Sequence, residues 1–204
     1  MSVLSLEINI LYYSDKGRES RFSDIANNID CLDIEDYETE AFWNLMGGFE
    51  VTINGFNTIF HNSDFYSLSK ATGFLLQSLY WIQNQPTNFF EKEDISPNQI
   101  SIRSTGNNLI RLQEYNENEL AFSYLPARGR VPQRGNRFFS DVVLNKQEWF
   151  KQADIALQEY FNVLLYILKT NSYSSICNTL LEYYDTWNTI SARGTIIGSM
   201  ISET

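Results

Sequence analysis

Residues Asn145 to Lys169, NKQEWFKQADIALQEYFNVLLYILK, decide the fold. Trp149, Ala153, Ala156, Leu157, Tyr160, Leu164 and Leu168 recur at three- and four-residue spacing, so they line one stripe of an α-helix. Asn145 is placed to cap the N-terminus, because its side-chain oxygen can accept a free backbone N–H, and Glu148 can reach back as in a capping box. Glu148 in the first turn and Lys169 in the last suit the helix dipole at both ends. From Val163 to Leu168 every residue is apolar or aromatic. A helix apolar on all sides must be covered on all sides, so the spacing predicts a sheet against one face and a second helix against another. A membrane span needs about 20 predominantly apolar residues, and Gln152, Asp154, Gln158, Glu159 and Asn162 interrupt this one.

On the far side of this helix, Asn171 and Ser172 break the pattern and Ser174 or Ser175 starts another helix, with Ile176, Leu180, Tyr183, Tyr184, Trp187 and Ile190 at helical spacing. The short connection predicts an antiparallel helical pair, 145–190, packed on a sheet. Ile196, Ile197, Met200 and Ile201 in the tail could dock as a last turn or strand. On the near side, a strand from Phe138 to Leu144 leads straight into the helix, and a three-strand meander precedes it. Ile100 and Ile102 alternate with polar residues, Thr105 to Asn108 turn the chain, Leu109 to Tyr115 return, and Leu120, Phe122 and Tyr124 alternate before Pro126. Arg103, Arg111 and Glu114 within these strands imply a sheet with one wet face.

Further back, Phe49, Val51 and Ile53 alternate with Glu50 and Thr52, Asn54-Gly55 follows, and FNTIF runs from Phe56 to Phe60. Two alternating runs joined by Asn-Gly predict a hairpin, since both centres of a type I′ turn need positive φ. A helix is expected from Ser63 to Gln85, stopped by Pro86, with Gly73 inside it as a mark of close packing. Leu4, Leu6, Ile8 and Ile10 alternate with Ser5, Glu7 and Asn9, a half-buried strand expected to run on to about Tyr13.

The whole therefore reads as α+β: a single domain over residues 1–204, with a mainly antiparallel sheet of about six to seven strands and two to three long helices. A chain of this length buries roughly 70% of its unfolded surface and needs no staple. Cys31 and Cys177 fall in no zinc or C-x-x-C spacing and read as reduced thiols. MSVLSLEINI has no basic n-region and no small-residue cleavage site, so the expected location is the cytoplasm. The net charge of −10 disfavours binding to nucleic acid or anionic lipid and favours a basic protein partner.

No catalytic motif is present: there is no G-x-S-x-G, no Walker loop, no G-x-G-x-x-G and no H-E-x-x-H. His61 is the sole histidine and sits between a strand and a helix start, where imidazoles commonly cap or fill space; no metal site or cofactor is expected. Glu7 and Glu50, on strands, could form a carboxylate pair. Asp30, Asp33, Glu35, Asp36, Tyr37, Glu38 and Glu40 make an acidic run threaded by Ile29, Leu32 and Ile34, either a solvated face or the rim for a basic partner. Arg128, Arg130, Arg134 and Arg137 crowd into a loop broken by Gly129, Pro132 and Gly135, and their planar forks either clamp an anion or pair internally with such acids.

Two functions follow. One is an acidic protein-binding module that neutralises a basic partner. In size, acidity and lack of a catalytic set the chain resembles, in physical type though through no shared motif, bacterial immunity and inhibitor proteins that block toxins. The other is a small-anion or nucleotide binder, or an enzyme, using the loop at 128–137. Oligomeric state is left open by the sequence.

Overall fold

The computed structural model describes residues 3–10, 47–59, 68–85, 95–103, 108–125, 127, 138–170 and 181–191. Alternating apolar residues build the first sheet: β1 (Leu4–Ile10), β2 (Gly47–Ile53) and β3 (Phe56–Ile59) pair antiparallel in that order. Leu4 faces Ile53 and Leu6 faces Val51, so period-2 patterning brings these four side chains to one buried face. The Asn-Gly hairpin forms as expected, with Ile53 opposite Phe56 and positive φ at Asn54 (52°) and Gly55 (79°). Asn54 also clamps the start of β1: the Val3 N–H donates to Asn54 Oδ1 (3.0 Å) and the Asn54 N–H to the Val3 carbonyl (2.9 Å).

A second sheet holds β4 (Ile95–Ser96), β5 (Gln99–Arg103), β6 (Leu109–Glu114), β7 (Glu119–Leu125) and β8 (Phe139–Asn145), antiparallel and in sequence order. The α+β class holds, but the strands do not share one sheet: eight among the described residues divide into sheets of three and five. Helices join the two. α1 is Leu68–Ile82, α2 is Lys146–Thr170, and residues 181–191 form α3. Among the described residues, no helix is long and apolar enough to cross a membrane.

α2 begins where the sequence places its cap. Asn145 Oδ1 accepts the backbone N–H of Gln147 (2.9 Å) and of Glu148 (3.1 Å). The reciprocal half of the capping box is absent among the described bonds, because Glu148 Oε1 instead accepts Gln152 Nε2 one turn on (3.1 Å). Trp149, Ala153, Ala156, Leu157, Tyr160 and Phe161 are buried, while Lys151, Ile155, Gln158, Glu159 and Asn162 face outward. The helix is thus amphipathic through Asn162, while the side chains of 163–168, the stretch expected to be covered on all sides, lie outside those described apart from half-buried Leu165.

The enclosed rod is α1, in which every residue from Ala71 to Leu79 is buried, the polar Thr72, Gln77 and Ser78 included. Its stop also differs from expectation. Asn84 adopts φ 53°, its N–H donates to the Trp81 carbonyl (3.0 Å), and the Gln85 N–H donates to the Tyr80 carbonyl (2.9 Å). That is a Schellman cap with Asn in the left-handed position, which ends the helix at Ile82, four residues before Pro86.

The helices lock through polar atoms inside apolar surroundings. Trp149 Nε1 donates to Ser78 Oγ (2.9 Å), which donates to the Leu75 carbonyl (2.6 Å), tying α2 to α1. Tyr80 Oη donates to the Thr186 carbonyl (3.0 Å), tying α1 to α3. Phe161 meets Tyr184 and Trp187 at ring separations of 5.5 and 5.4 Å, and Trp187 Nε1 and Ser191 Oγ both donate to Asp154. Phe161 lies by 184–187 and Asp154 by 187–191, so α2 and α3 run antiparallel, as the short connection implies. Trp149 also stacks on Phe122 of the five-stranded sheet (5.5 Å), and one buried cluster includes residues of both sheets and all three helices.

Candidate functional site

The sequence places its charged candidates in two stretches, and both lie outside the described residues: Asp30, Asp33, Glu35, Asp36, Tyr37, Glu38 and Glu40 in one, Arg128, Arg130, Arg134 and Arg137 in the other. His61, Cys31, Cys177, the extension of β1 to Tyr13, the start of the 63–85 helix and the tail after Ser191 also fall outside them. The flanks of the arginine-bearing connection are described, however, and they are pinned. Ala127 N–H donates to Asn108 Oδ1 (2.8 Å), whose Nδ2 donates to Tyr124 Oη (3.0 Å). At the other flank the Phe138 ring packs on Tyr124 at 5.1 Å. Asn108 is buried, so an amide that reads in sequence as an ordinary turn residue is the bracket for the whole connection.

Strand order then decides what gathers beside that bracket. Arg103 ends β5 and pairs with Leu109, the first residue of β6; Leu109 pairs with Leu125, the last of β7; and Tyr124 pairs with Phe139, the first of β8. Arg103 and the connection from β7 to β8 therefore share one end of the sheet. Arg103 is exposed and makes no ion pair among the described residues.

Arg111 lies further along the same outer face and is engaged. Its Nη2 reaches Asp141 Oδ1 (2.7 Å) and Ser123 Oγ (3.3 Å), Ser123 Oγ donates to Asp141 Oδ1 (2.9 Å), and the Asp141 N–H donates back to Ser123 Oγ (3.0 Å). The cluster sits on a β-bulge, where the register shifts between Phe122 and Tyr124 and Asp141 takes φ 51°. The Ser123 hydroxyl first, with the Arg111 guanidinium and Ser140 behind it, holds the Asp141 carboxyl below its usual range against the opposing effect of desolvation, which ranks second to Ser123. Ser123 is fully buried, so the triad of Ser, Asp and Arg fixes the bulge rather than presenting a nucleophile.

At the opposite end of the sheet stand the acids. Glu114 closes β6, Glu117 lies in the turn and Glu119 opens β7, with Lys146 paired to Glu114 (2.7 Å). A crevice of about 10 Å³ between Trp81, Ile82, Asn84, Pro97, Glu114 and Lys146 has room for a single water.

On the small sheet, Glu7 and Glu50 are directly opposed across β1 and β2, as a carboxylate pair on strands requires. Glu50 is buried. Both residues have interaction partners. Among the described residues no group of three or more His, Cys, Asp or Glu is placed to hold a metal ion.

On the helices, Glu159, Glu182 and Asp185 are exposed, and Lys151 is the one exposed cation among the described residues of α2 and α3 whose exposure is defined. Comparison with protein-family models, with curated proteins and with solved structures gives no match.

Proposed function

We propose that this chain is an acidic, cytoplasmic binding module for a basic protein partner, an inhibitor or immunity-type protein that neutralises a toxin-like cation-rich target. The observation that supports it best is the outward surface of α2 and α3, where Glu159, Glu182 and Asp185 face solvent against Lys151. Glu182 and Asp185 lie three residues apart on one helical face with no basic residue among the exposed positions of that helix, a like-charge arrangement that costs α3 a few tenths of a kcal/mol. The net charge of the chain, −10, has the same sign. Such a field attracts a cationic partner and speeds its encounter. Exposed Tyr115 and Phe56 supply apolar contact area of the kind that anchors interfaces.

The test is affinity capture from the native host with the immobilised full chain. A basic protein held at about 0.05 M salt and released at about 1 M salt is the expected result, because interactions across solvent are screened within roughly 3 Å at the higher value. A chain with Glu159, Glu182 and Asp185 all changed to Lys is expected to lose that protein. Capture that is indifferent to salt and to the charge reversal contradicts the proposal.

A further inference from the structure

We infer that the basic partner seats an arginine where the β6–β7 turn, the β4–β5 turn and the last turn of α1 meet, with Tyr115 as its anchor; the inference rests on the reading of the chain as an acidic binding module. Tyr115 is the most exposed aromatic side chain among the described residues, at 62%. Single exposed apolar residues are ordinary on a protein surface, but Tyr115 has apolar company. Gln99 pairs with Gln113 and the Glu114 N–H donates to the Asn98 carbonyl (2.8 Å), so the register sets exposed Pro97 beside Tyr115. Trp81 Nε1 donates to the Pro97 carbonyl (3.2 Å), which brings the half-buried indole of α1 to the same end.

The turn that carries Tyr115 is tied from several sides. The N–H groups of Tyr115 and Asn116 both donate to the Glu119 carbonyl (3.1 Å each), and Asn116 Nδ2 donates to Glu119 Oε2 (2.6 Å). The Asn118 N–H donates to Asn116 Oδ1 (2.9 Å), and the Asn118 carbonyl accepts the Lys146 N–H (2.9 Å) at the start of α2. A side chain held on such a turn is already placed for contact, so little conformational freedom is lost when a partner covers it.

The exposed charge at this end has one sign. Lys146 is paired to Glu114 and Glu119 is bonded to Asn116, while Glu117 is exposed and makes no ion pair or hydrogen bond through its side chain among the described residues. α1 has no basic residue in its last turn, so the negative end of its dipole is unopposed from within the helix. Glu117 stands two residues from Tyr115, so their Cα atoms are at most roughly 7 Å apart. An aromatic face beside a carboxylate suits a guanidinium: the ring takes its plane and the carboxylate its N–H fork. An ammonium group has no plane to stack and is more strongly hydrated, which favours arginine over lysine. The acids of α2 and α3 steer the same partner from a distance, whereas this end makes the close contact.

The probe is the basic protein that the immobilised full chain retains at low salt, purified and titrated against the wild type and four variants by interferometry. Tyr115→Ala is expected to weaken binding by at least about tenfold, the scale of an interface anchor, and Tyr115→Phe, which keeps the ring, by less than about twofold. Glu117→Gln is expected to weaken it at low salt and to matter little at high salt. Ile155→Ala, which trims an exposed apolar side chain on α2, is expected to leave it unchanged. Capping the partner's arginines with phenylglyoxal is expected to abolish binding. Full affinity in Tyr115→Ala overturns the inference and spares the acidic-module reading, as does an equal loss in Tyr115→Ala and Ile155→Ala. Binding that survives phenylglyoxal but not acetylation of lysines overturns the assignment of arginine. A wild-type chain that retains no basic protein overturns both readings together. Thermal melts of each variant separate a lost contact from a lost fold.

Discussion

Removing the hydroxyl of Ser78 probes the joint between the two central helices. Ser78 and Trp149 are both fully buried, and the indole N–H donates to Ser78 Oγ at 2.9 Å. In Ser78→Ala that N–H has lost its acceptor and cannot reach water, so the cost is that of an unsatisfied buried donor, about 1–3 kcal/mol. Trp149→Phe removes the donor and part of the ring that packs on Phe122, with a cost of about 1–3 kcal/mol in packing. Once the indole is gone, Ser78→Ala leaves no orphan on α2, and the serine hydroxyl it removes was otherwise bonded only locally, to the Leu75 carbonyl. In that background the substitution should cost roughly 0.5 kcal/mol or less, which makes the coupling about 1–2 kcal/mol. Urea unfolding of the four proteins, followed by far-ultraviolet circular dichroism because one variant lacks an indole, measures it. A Ser78→Ala cost equal in both backgrounds, to within about 0.3 kcal/mol, refutes the reasoning.

Three smaller perturbations test other joints. Asn145→Ala deprives the Gln147 and Glu148 N–H groups of their acceptor and should cost about 1 kcal/mol by chemical denaturation, whereas Glu148→Ala, which touches only an exposed i,i+4 contact, should cost about 0.3 kcal/mol. Gly55→Ala meets no neighbouring atom but must hold φ near 79°, so about 1 kcal/mol of backbone strain should appear as a lower melting temperature with an unchanged fold by circular dichroism. The Asp141 carboxyl titrates below its usual range when folded, so its contribution is present above the unfolded pKa and lost as pH falls through the folded one. Asp141→Asn should therefore flatten the acid limb of the stability–pH curve, by roughly 0.5 kcal/mol or less given how exposed the group is.

Legibility in the sequence followed the range of the interactions. The helix at 145–169 appears one residue later, at 146–170, and its cap, the Asn-Gly hairpin and the meander strands are where periodicity and turn chemistry place them, because each is decided within a few neighbouring residues. The division into two sheets was hidden, since which strand pairs with which depends on contacts far apart in sequence. The enclosure of α1 was hidden for a different reason. Thr72, Gln77 and Ser78 give it the polar positions of a surface helix, and only Trp149, 71 residues away, shows what buries Ser78. The bulge at Ser123 and Asp141 carries no local signature, because a left-handed Asp in a strand reads as an ordinary polar alternation. The arginines of 128–137 stand out in composition but lie outside the described residues, and the place of Arg103 at the sheet end where β7 stops and β8 begins appears only in the register of β5 to β8. The acidic run at 30–40, chosen for its composition, lies outside the described residues, and the acids at Glu159, Glu182 and Asp185 emerge only once burial separates the outward positions of the helices from the inward ones.

The rate at which the captured basic protein associates with this chain, followed by stopped-flow between about 0.03 M and about 0.5 M salt, tests the acidic binding surface most directly. The result expected is a rate that falls at least about tenfold across that range while the dissociation rate changes far less. An association rate indifferent to salt contradicts the idea that negative charge on the exterior recruits the partner.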